Sequence, residues 1–497
     1  MTGAARAAGA GAATGDRGTR RDARPVLPPI LGSIRPRPRW TELWLLVLVA
    51  ITLITGSISL NATLRARGLD RGAPIPDGTF APYAPTFLAM YLGALLFAHL
   101  AQVVAGRRTD QVLLPAVGLL GGISLLLMER LPQNLAGQFG GLAQTQLVWL
   151  LVALGIMTTL AIVVRSDAWL RLYKYTWAAA GVGLLLLTFV LGRDVNGARL
   201  TLDLGPVSGQ PSELLKVILV VFLAGYLSEN RPLLVDQSTR IGPFRLPPVP
   251  YLAPMLAMWA LALGIVVIQR DLGAALLFFA VFLLLLYIAT ARWSYVFFGL
   301  VAFIAGGALM YRLFGHVQQR VDIWLNPFAD PLGAGYQVVQ ALYAFARGGI
   351  LGTGLGNGLP TVGGRLPIPE IHTDFPFAAL GEELGLIGIL GILGVYLVVI
   401  ERGLRIAAAA ADEFRALLAA GLSLVVGVQA FIIAGGNLKL VPLTGITLPF
   451  VSYGGSSLIA NALVVGLLLA LSDRGVEPPP PPRRRRRLAR LLDRGAA

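Results

Sequence analysis

Apolar runs close to the length of a bilayer crossing recur along the whole chain, and this feature decides what it can fold into. A helix needs about 20 apolar residues to span the hydrocarbon core. Such runs are predicted at 43–60, 85–106, 112–128, 146–164, 176–192, 214–227, 251–268, 272–290, 294–313, 377–400, 416–434 and 456–471. The 214–227 run is short and can extend backwards through Glu213. In lipid every backbone N–H and C=O must be satisfied within the protein, so packed helices are the workable answer. The chain therefore reads as an all-α polytopic membrane protein of about 12 transmembrane helices. Composition agrees, because only 13% of the 497 residues are charged, about half the share of a soluble protein.

The net charge of +15 gathers at the ends. Residues 1–42 hold eight Arg against Asp16, Asp22 and Glu42, and the C-terminus reads "EPPPPPRRRRRLARLLDRGAA". An even number of spans puts both basic tails on one side, which the positive-inside rule marks as the cytoplasm. Arg65, Arg67 and Arg71 run against that rule, and the tails outweigh them. Arg483–Arg487 would bind any polyphosphate, but the topology makes them contacts for anionic membrane lipid, with no nucleic-acid partner. Trp40, Trp44, Trp169, Trp177 and Trp293 are expected as interfacial anchors. No cysteine occurs, which excludes disulfides and thiolate metal sites. His99, His316 and His372 are too scattered for a histidine metal site. The first apolar run follows a long Arg-rich tail, so no cleaved signal peptide is expected.

The outer loop 314–376 is long and looks ordered. "GYQVVQALYAFARGG" predicts an amphipathic helix, with Tyr336, Val339, Gln340 and Tyr343 at i, i+3, i+4, i+7 spacing. "GGILGTGLGNG" follows as turns, with neither the preceding strand nor the lysine that a nucleotide site requires.

Four polar clusters then meet the predicted spans on the outer side. "LPIPEIHTDFPFAALGEELGLIG" sets Glu370, His372, Asp374, Glu382 and Glu383 at the mouth of a span. Pro376 suits a first helical turn, which puts Asp374 at or near the N-cap. Glu382 and Glu383 fall about 12–13 Å deeper. Acids there cost ~2.5–3.5 kcal/mol, so structural pairing is expected. In "GQPSELLKVILVV", Glu213 and Lys216 are i, i+3 and share a helix face. They are either a self-neutralising pair or part of an outward cavity. In "QRDLGAALLFF", Gln269, Arg270 and Asp271 are expected to cap a span. "PLTGITLPFVSYGGSSL" cannot form a regular span, and such backbone survives at membrane depth only under protein or water. Four clusters on one side suggest an outward-open site for an anionic, membrane-held substrate. Its carboxylates suit proton transfer, and Lys and Arg suit holding an anion.

These blocks, together with "NGARLTLDLGPVSGQPSELLKV", "QRDLGAAL" and "GYQVVQALYAFARGGILGTGLGNG", resemble the SEDS family (shape, elongation, division and sporulation), which includes RodA and FtsW. The resemblance runs from about the third span to the twelfth. It implies a ten-span core over 107–472 containing the outer loop 314–376. The spans in 43–106 are then an addition, as in some actinobacteria-like members. Residues 1–42 and 473–497 form basic cytoplasmic tails. The implied activity is a peptidoglycan glycosyltransferase that polymerises lipid II at the outer face of the bacterial cytoplasmic membrane. A class B penicillin-binding protein is the implied transpeptidase partner. Asp374 is the implied catalytic residue, and Glu213 and Lys216 are implied to be functionally required. The remaining expected substrate contacts are Gln210, Ser212, Asp271, Tyr336, Gln337, Arg347, Arg365, His372, Thr373, Ser452, Ser456 and Ser457. No cofactor is required, and a divalent cation is left open.

Arg270, Ala341, Gly209 and Pro376 depart from the common pattern, as does the lack of tryptophan in 200–203, without removing a charged group. Two other functions fit a polytopic chain. A lipid II flippase would move lipid without making polymer, and a scaffold for a transpeptidase would tolerate Asp374→Ala. The extra N-terminal spans lean towards elongation over division.

Overall fold

The computed structural model describes residues 36–66, 85–135, 139–195, 198–203, 208–236, 239–241, 244–246, 271–358 and 366–473 apart from Pro367, with the isolated Ala260 and Gly264. The predicted run 251–268 otherwise lies outside the described residues, as do Gln269, Arg270, Arg365 and most of both tails. The helices are α1 (Trp40–Ala66), α2 (Pro85–Val104), α3 (Leu113–Arg130), α4 (Leu142–Val163), a short α5 (Ala168–Leu172), α6 (Lys174–Leu191) and α7 (Pro211–Asp236). They continue with α8 (Leu272–Thr290), α9 (Trp293–Leu313), α10 (Gly315–Leu325), α11 (Tyr336–Gly348), α12 (Pro376–Ala408), α13 (Glu413–Asn437) and α14 (Gly455–Ser472). Among the described residues, 11 of these are long and apolar enough to cross a membrane. The chain is a multi-pass membrane protein. Helix α7 does begin before Glu213, as its short apolar run required.

Two small sheets add to the predicted helices. Strands β1 (Arg193–Val195), β2 (Ala198–Asp203) and β3 (Ser208–Gly209) form an antiparallel sheet before α7, and β4 (Thr239–Ile241) pairs with β5 (Phe244–Leu246) after it. The stretch "RLTLD" alternates polar and apolar residues, which is the strand period. The class stays all-α.

Packing follows polarity. Helix α14 lies against α4, α12 against α13, and α7 against α6 and α13. Helix α9 instead keeps Leu300, Val301 and Ile304 exposed, the normal condition of a lipid face. Trp40, Trp44 and Trp293 are also exposed at helix starts, as interfacial anchors should be.

One end of the bundle is closed by buried and half-buried charges, each with a partner, since an unpaired buried charge is prohibitive. Arg39 pairs with Glu42, and His99 Nδ1 lies 2.7 Å from Glu42 Oε1. Arg107 meets Asp473 at 2.6 Å, and Arg402 meets Asp110 at 3.1 Å. This ties the start of α1 and the ends of α2 and α14 together. The predicted polar clusters gather at the other end. There α1 also reaches the glycine-rich loop, where a Cβ at Gly356 would lie 2.8 Å from Leu60 Cδ1 and 3.4 Å from Thr63 Cγ2.

The stripe predicted on α11 is corrected. Val338, Val339, Ala341, Ala344 and Gly348 are buried, whereas Tyr343 is exposed. Small residues face inward because α11 lies close against the start of α12: a Cβ at Gly348 would sit 2.1 Å from Gly381 O.

Candidate active site

Helix α12 is broken at Gly385, whose φ of 66° falls in the left-handed region that other residues rarely adopt. The loop after α11 fills the break. Leu386 N–H donates to Gly349 O at 2.9 Å, and Thr353 and Gly354 N–H donate to Glu382 O and Glu383 O at 3.0 Å. The freed backbone groups are thus satisfied, as membrane depth demands. Arg347 Nε bonds Glu382 Oε1 at 2.9 Å. Arg130 pairs with Glu383, which also accepts N–H bonds from Gly356 at 2.9 Å and Gly358 at 3.1 Å. The two deep glutamates are structural, as expected.

Asp374 does not cap α12, which corrects the expectation from sequence. The helix opens at Pro376 after Phe375, with no cap from either side chain. Asn437, at the end of α13, supplies the cap instead. Its Oδ1 accepts from Ala378 N–H at 3.2 Å, and its Nδ2 donates to Asp374 O at 3.0 Å. The Asp374 carboxylate is thereby left for other work.

The backbone around Asp374 is clasped by the irregular segment 442–454. Tyr453 N–H donates to His372 O at 2.8 Å, and Ser452 Oγ donates to Thr373 O at 2.7 Å. The His372 and Tyr453 rings lie 5.6 Å apart. A Cβ at Gly445 would sit 3.6 Å from Asp374 Oδ2. Burial pushes the Asp374 carboxyl up to about 6, and the nearby Glu370 charge adds to that. Thr373 and Arg320 pull the other way. Burial also lowers the His372 pKa, against Glu370.

Arg320 is a site residue that the sequence reading missed. It reaches across from α10 and donates to Leu443 O at 3.1 Å. Its signal was available, since it is the one arginine in "GHVQQRVDIWL", but nothing in the chain order places that helix beside residue 443.

The same segment grips the second cluster. Thr447 Oγ1 lies 3.2 Å from Glu213 Oε1 and 2.5 Å from Ser457 Oγ. Lys216 is 1% exposed. Its Nζ bonds Glu213 at 2.6 Å, Gln429 at 2.8 Å and Asn461 at 3.0 Å. Asp271 caps α8 by accepting from Ala274 N–H at 3.0 Å. It also accepts from Ser212 at 3.1 Å and Gln210 at 3.3 Å, and its pKa is raised by burial. Thr444 and Ile446 press against Gly273 in the first turn of α8.

Segment 442–454, through Ser452 and Thr447 among others, therefore joins Asp374, His372 and Thr373 to Glu213, Lys216 and Ser457, with Gln210, Ser212 and Asp271 alongside. The link between Asp374 and Lys216 runs through this segment rather than through a direct bond between the two. Tyr336 and Gln337 open α11, Ser456 lies in the first turn of α14, and Arg347 is engaged by Glu382. Among the described residues, no group of three or more His, Cys, Asp or Glu is placed to hold a metal ion.

Fold and site define a class: a multi-pass helical membrane protein with a carboxylate-bearing site among the irregular ends of its spans. The FtsW/RodA/SpoVE family, described as a cell cycle protein, matches residues 110–475, and the chain belongs to that family. The peptidoglycan glycosyltransferase RodA of Mycobacterium tuberculosis strain H37Rv is 39% identical over 459 residues, covering 91% of this chain and 93% of the relative. That match necessarily reaches into the first two spans, ahead of the family match. A probable peptidoglycan glycosyltransferase FtsW of Nitrosococcus halophilus is 37% identical over 393 residues, 75% of this chain and 95% of its own. Among solved structures, a chain from a peptidoglycan synthase complex that coordinates polymerization and crosslinking is similar with a TM-score of 0.58 and 29% identity, covering 73% of this chain and 98% of that one. The rod shape determining protein RodA of Thermus thermophilus is similar with a TM-score of 0.50 and 26% identity, covering 73% and 97%.

Proposed function

We propose that this chain is a peptidoglycan glycosyltransferase that polymerises lipid II at the outer face of the bacterial cytoplasmic membrane, with both termini in the cytoplasm. One observation carries the proposal: Asp374 stands at the rim, half-buried, relieved of capping, with its pKa raised to about 6. A base is most effective when its pKa approaches the working pH.

In the proposed step Asp374 takes the proton from the 4-hydroxyl of the acceptor sugar. That oxygen bonds to the anomeric carbon of the donor, and the bond from this carbon to the lipid diphosphate breaks. The diphosphate is already a good leaving group, so positioning and charge stabilisation dominate. Arg320, the cation that acts on Asp374, is suited to meet the diphosphate. Glu213 and Lys216 are read as positioning residues, because the pair is buried and holds Thr447 in the shared segment. The printed names of the relatives support the activity. The neighbour from a complex that couples polymerization to crosslinking supports a transpeptidase partner, for which a class B penicillin-binding protein is the proposed form.

The test is lipid II polymerisation by purified protein. Asp374→Asn is expected to lower the rate by about 10²–10⁴-fold, the usual worth of a general base. Unchanged polymerisation would reject the assignment. Running both proteins with and without added Mg²⁺ or Mn²⁺ tests whether a cation bridges Asp374 and the diphosphate.

A further inference from the structure

The outer loop carries a concave surface that the proposed chemistry leaves unused. Helix α10 has two faces. Val317, Arg320 and Trp324, at i, i+3 and i+7, turn towards the catalytic segment. Val317 is buried, Arg320 bonds Leu443 O, and Trp324 Nε1 donates to Lys439 O at 3.2 Å. Gln318, Gln319, Asp322 and Asn326 lie on the other side and, together with the apolar Ile323 and Leu325, line a groove of about 510 Å³. Its far wall is the turn from Pro327 to Gly335. That wall is built firmly. The Asp330 carboxylate accepts N–H bonds from Gly333 at 3.0 Å and Ala334 at 2.8 Å. A Cβ at position 335 would sit 2.1 Å from Pro327 O, so only glycine closes the turn.

The chemistry of the lining selects its occupant. The Asp322 and Asp330 carboxylates already serve Tyr311 and the turn, and their charge repels phosphate and carboxylate groups. Gln318, Gln319 and Asn326 offer side-chain amides, each both donor and acceptor. Such groups match hydroxyl and acetamido substituents on a neutral sugar.

We infer that this groove holds the uncharged saccharide of the strand already polymerised, one helix diameter, about 10–12 Å, from the segment that extends it. The inference rests on the polymerase function proposed above and assigns a product subsite to it. A strand held there stays with the protein between additions, so the groove governs strand length.

The experiment compares products of the full-length protein and the variant Gln318→Ala/Gln319→Ala/Asn326→Ala at equal amounts of lipid II consumed. These side chains line an open groove, and the rigid wall is untouched. The variant is expected to make strands about fivefold shorter, the loss that follows removal of one ordinary hydrogen bond's worth of hold. Chitotetraose, a neutral N-acetylglucosamine tetramer, is expected to shorten wild-type strands as it is titrated and to leave the variant unaffected. Equal strand lengths for the two proteins would overturn the inference, as would wild-type strands insensitive to chitotetraose up to its solubility. A variant that consumed no lipid II would overturn it too, because the groove would then serve the coupling step itself. The Asp374→Asn result is separate: normal polymerisation by that protein would reject the catalytic base and leave the length difference standing.

Discussion

Asp374 does its proposed work because another residue has taken its obvious job. In sequence, an aspartate two places before Pro376 reads as an N-cap, and the cap from Asn437 arrives from 63 residues away. Local spacing could not show that. The raised pKa gives a direct expectation. A base must be deprotonated to act, so kcat/KM should fall about tenfold per pH unit as pH drops below about 6. A pH profile flat from about 5 to 8 would contradict it. The Glu213–Lys216 pair was legible, since i, i+3 spacing dictates it, but its enclosure by Gln429 and Asn461 was not. Lys216→Met should destabilise the protein by roughly 3–5 kcal/mol, because it strands a buried carboxylate. Glu213→Gln together with Lys216→Met should recover much of that loss, as read by thermal unfolding in detergent.

At the scale of elements, apolar run length located 11 spans among the described residues, because the bilayer fixes that length whatever the tertiary packing. The breaks were harder to see. The run 377–400 gives no sign that it stops being helical at Gly385, since glycine is common in membrane helices. Only the loop 349–354, folded back against residues 382–387, shows why the backbone opens there. Gly385→Ala should cost about 1–3 kcal/mol through its left-handed conformation alone. It should cost more in practice, because the new Cβ would lie 2.3 Å from Gly352 N. Loss of thermal stability alongside weakened polymerisation is the expected outcome, and a silent substitution would argue against a rigid junction.

For the whole molecule, charge alone predicts a topology, with both basic tails on the cytoplasmic side. In the bundle the Arg39, Arg107 and Arg402 clusters share one end and the candidate site segments share the other. The chain has no cysteine, so single replacements can report on sidedness cleanly. Ala62 and Ser166 are both exposed, at opposite ends of the bundle. Ala62→Cys is expected to react with a membrane-impermeant maleimide on intact cells, and Ser166→Cys only after lysis. The reverse pattern would invert the proposed orientation.

The outer end of α1 has a consequence of its own. Leu60 and Thr63 rest against Gly356, and Glu383 grips that same loop beside the first half of α12. Helix α1 is thereby connected, through one loop, to the break in α12. Substitutions at Leu60 or Thr63 therefore offer a handle on the α12 break that leaves every candidate site residue unchanged.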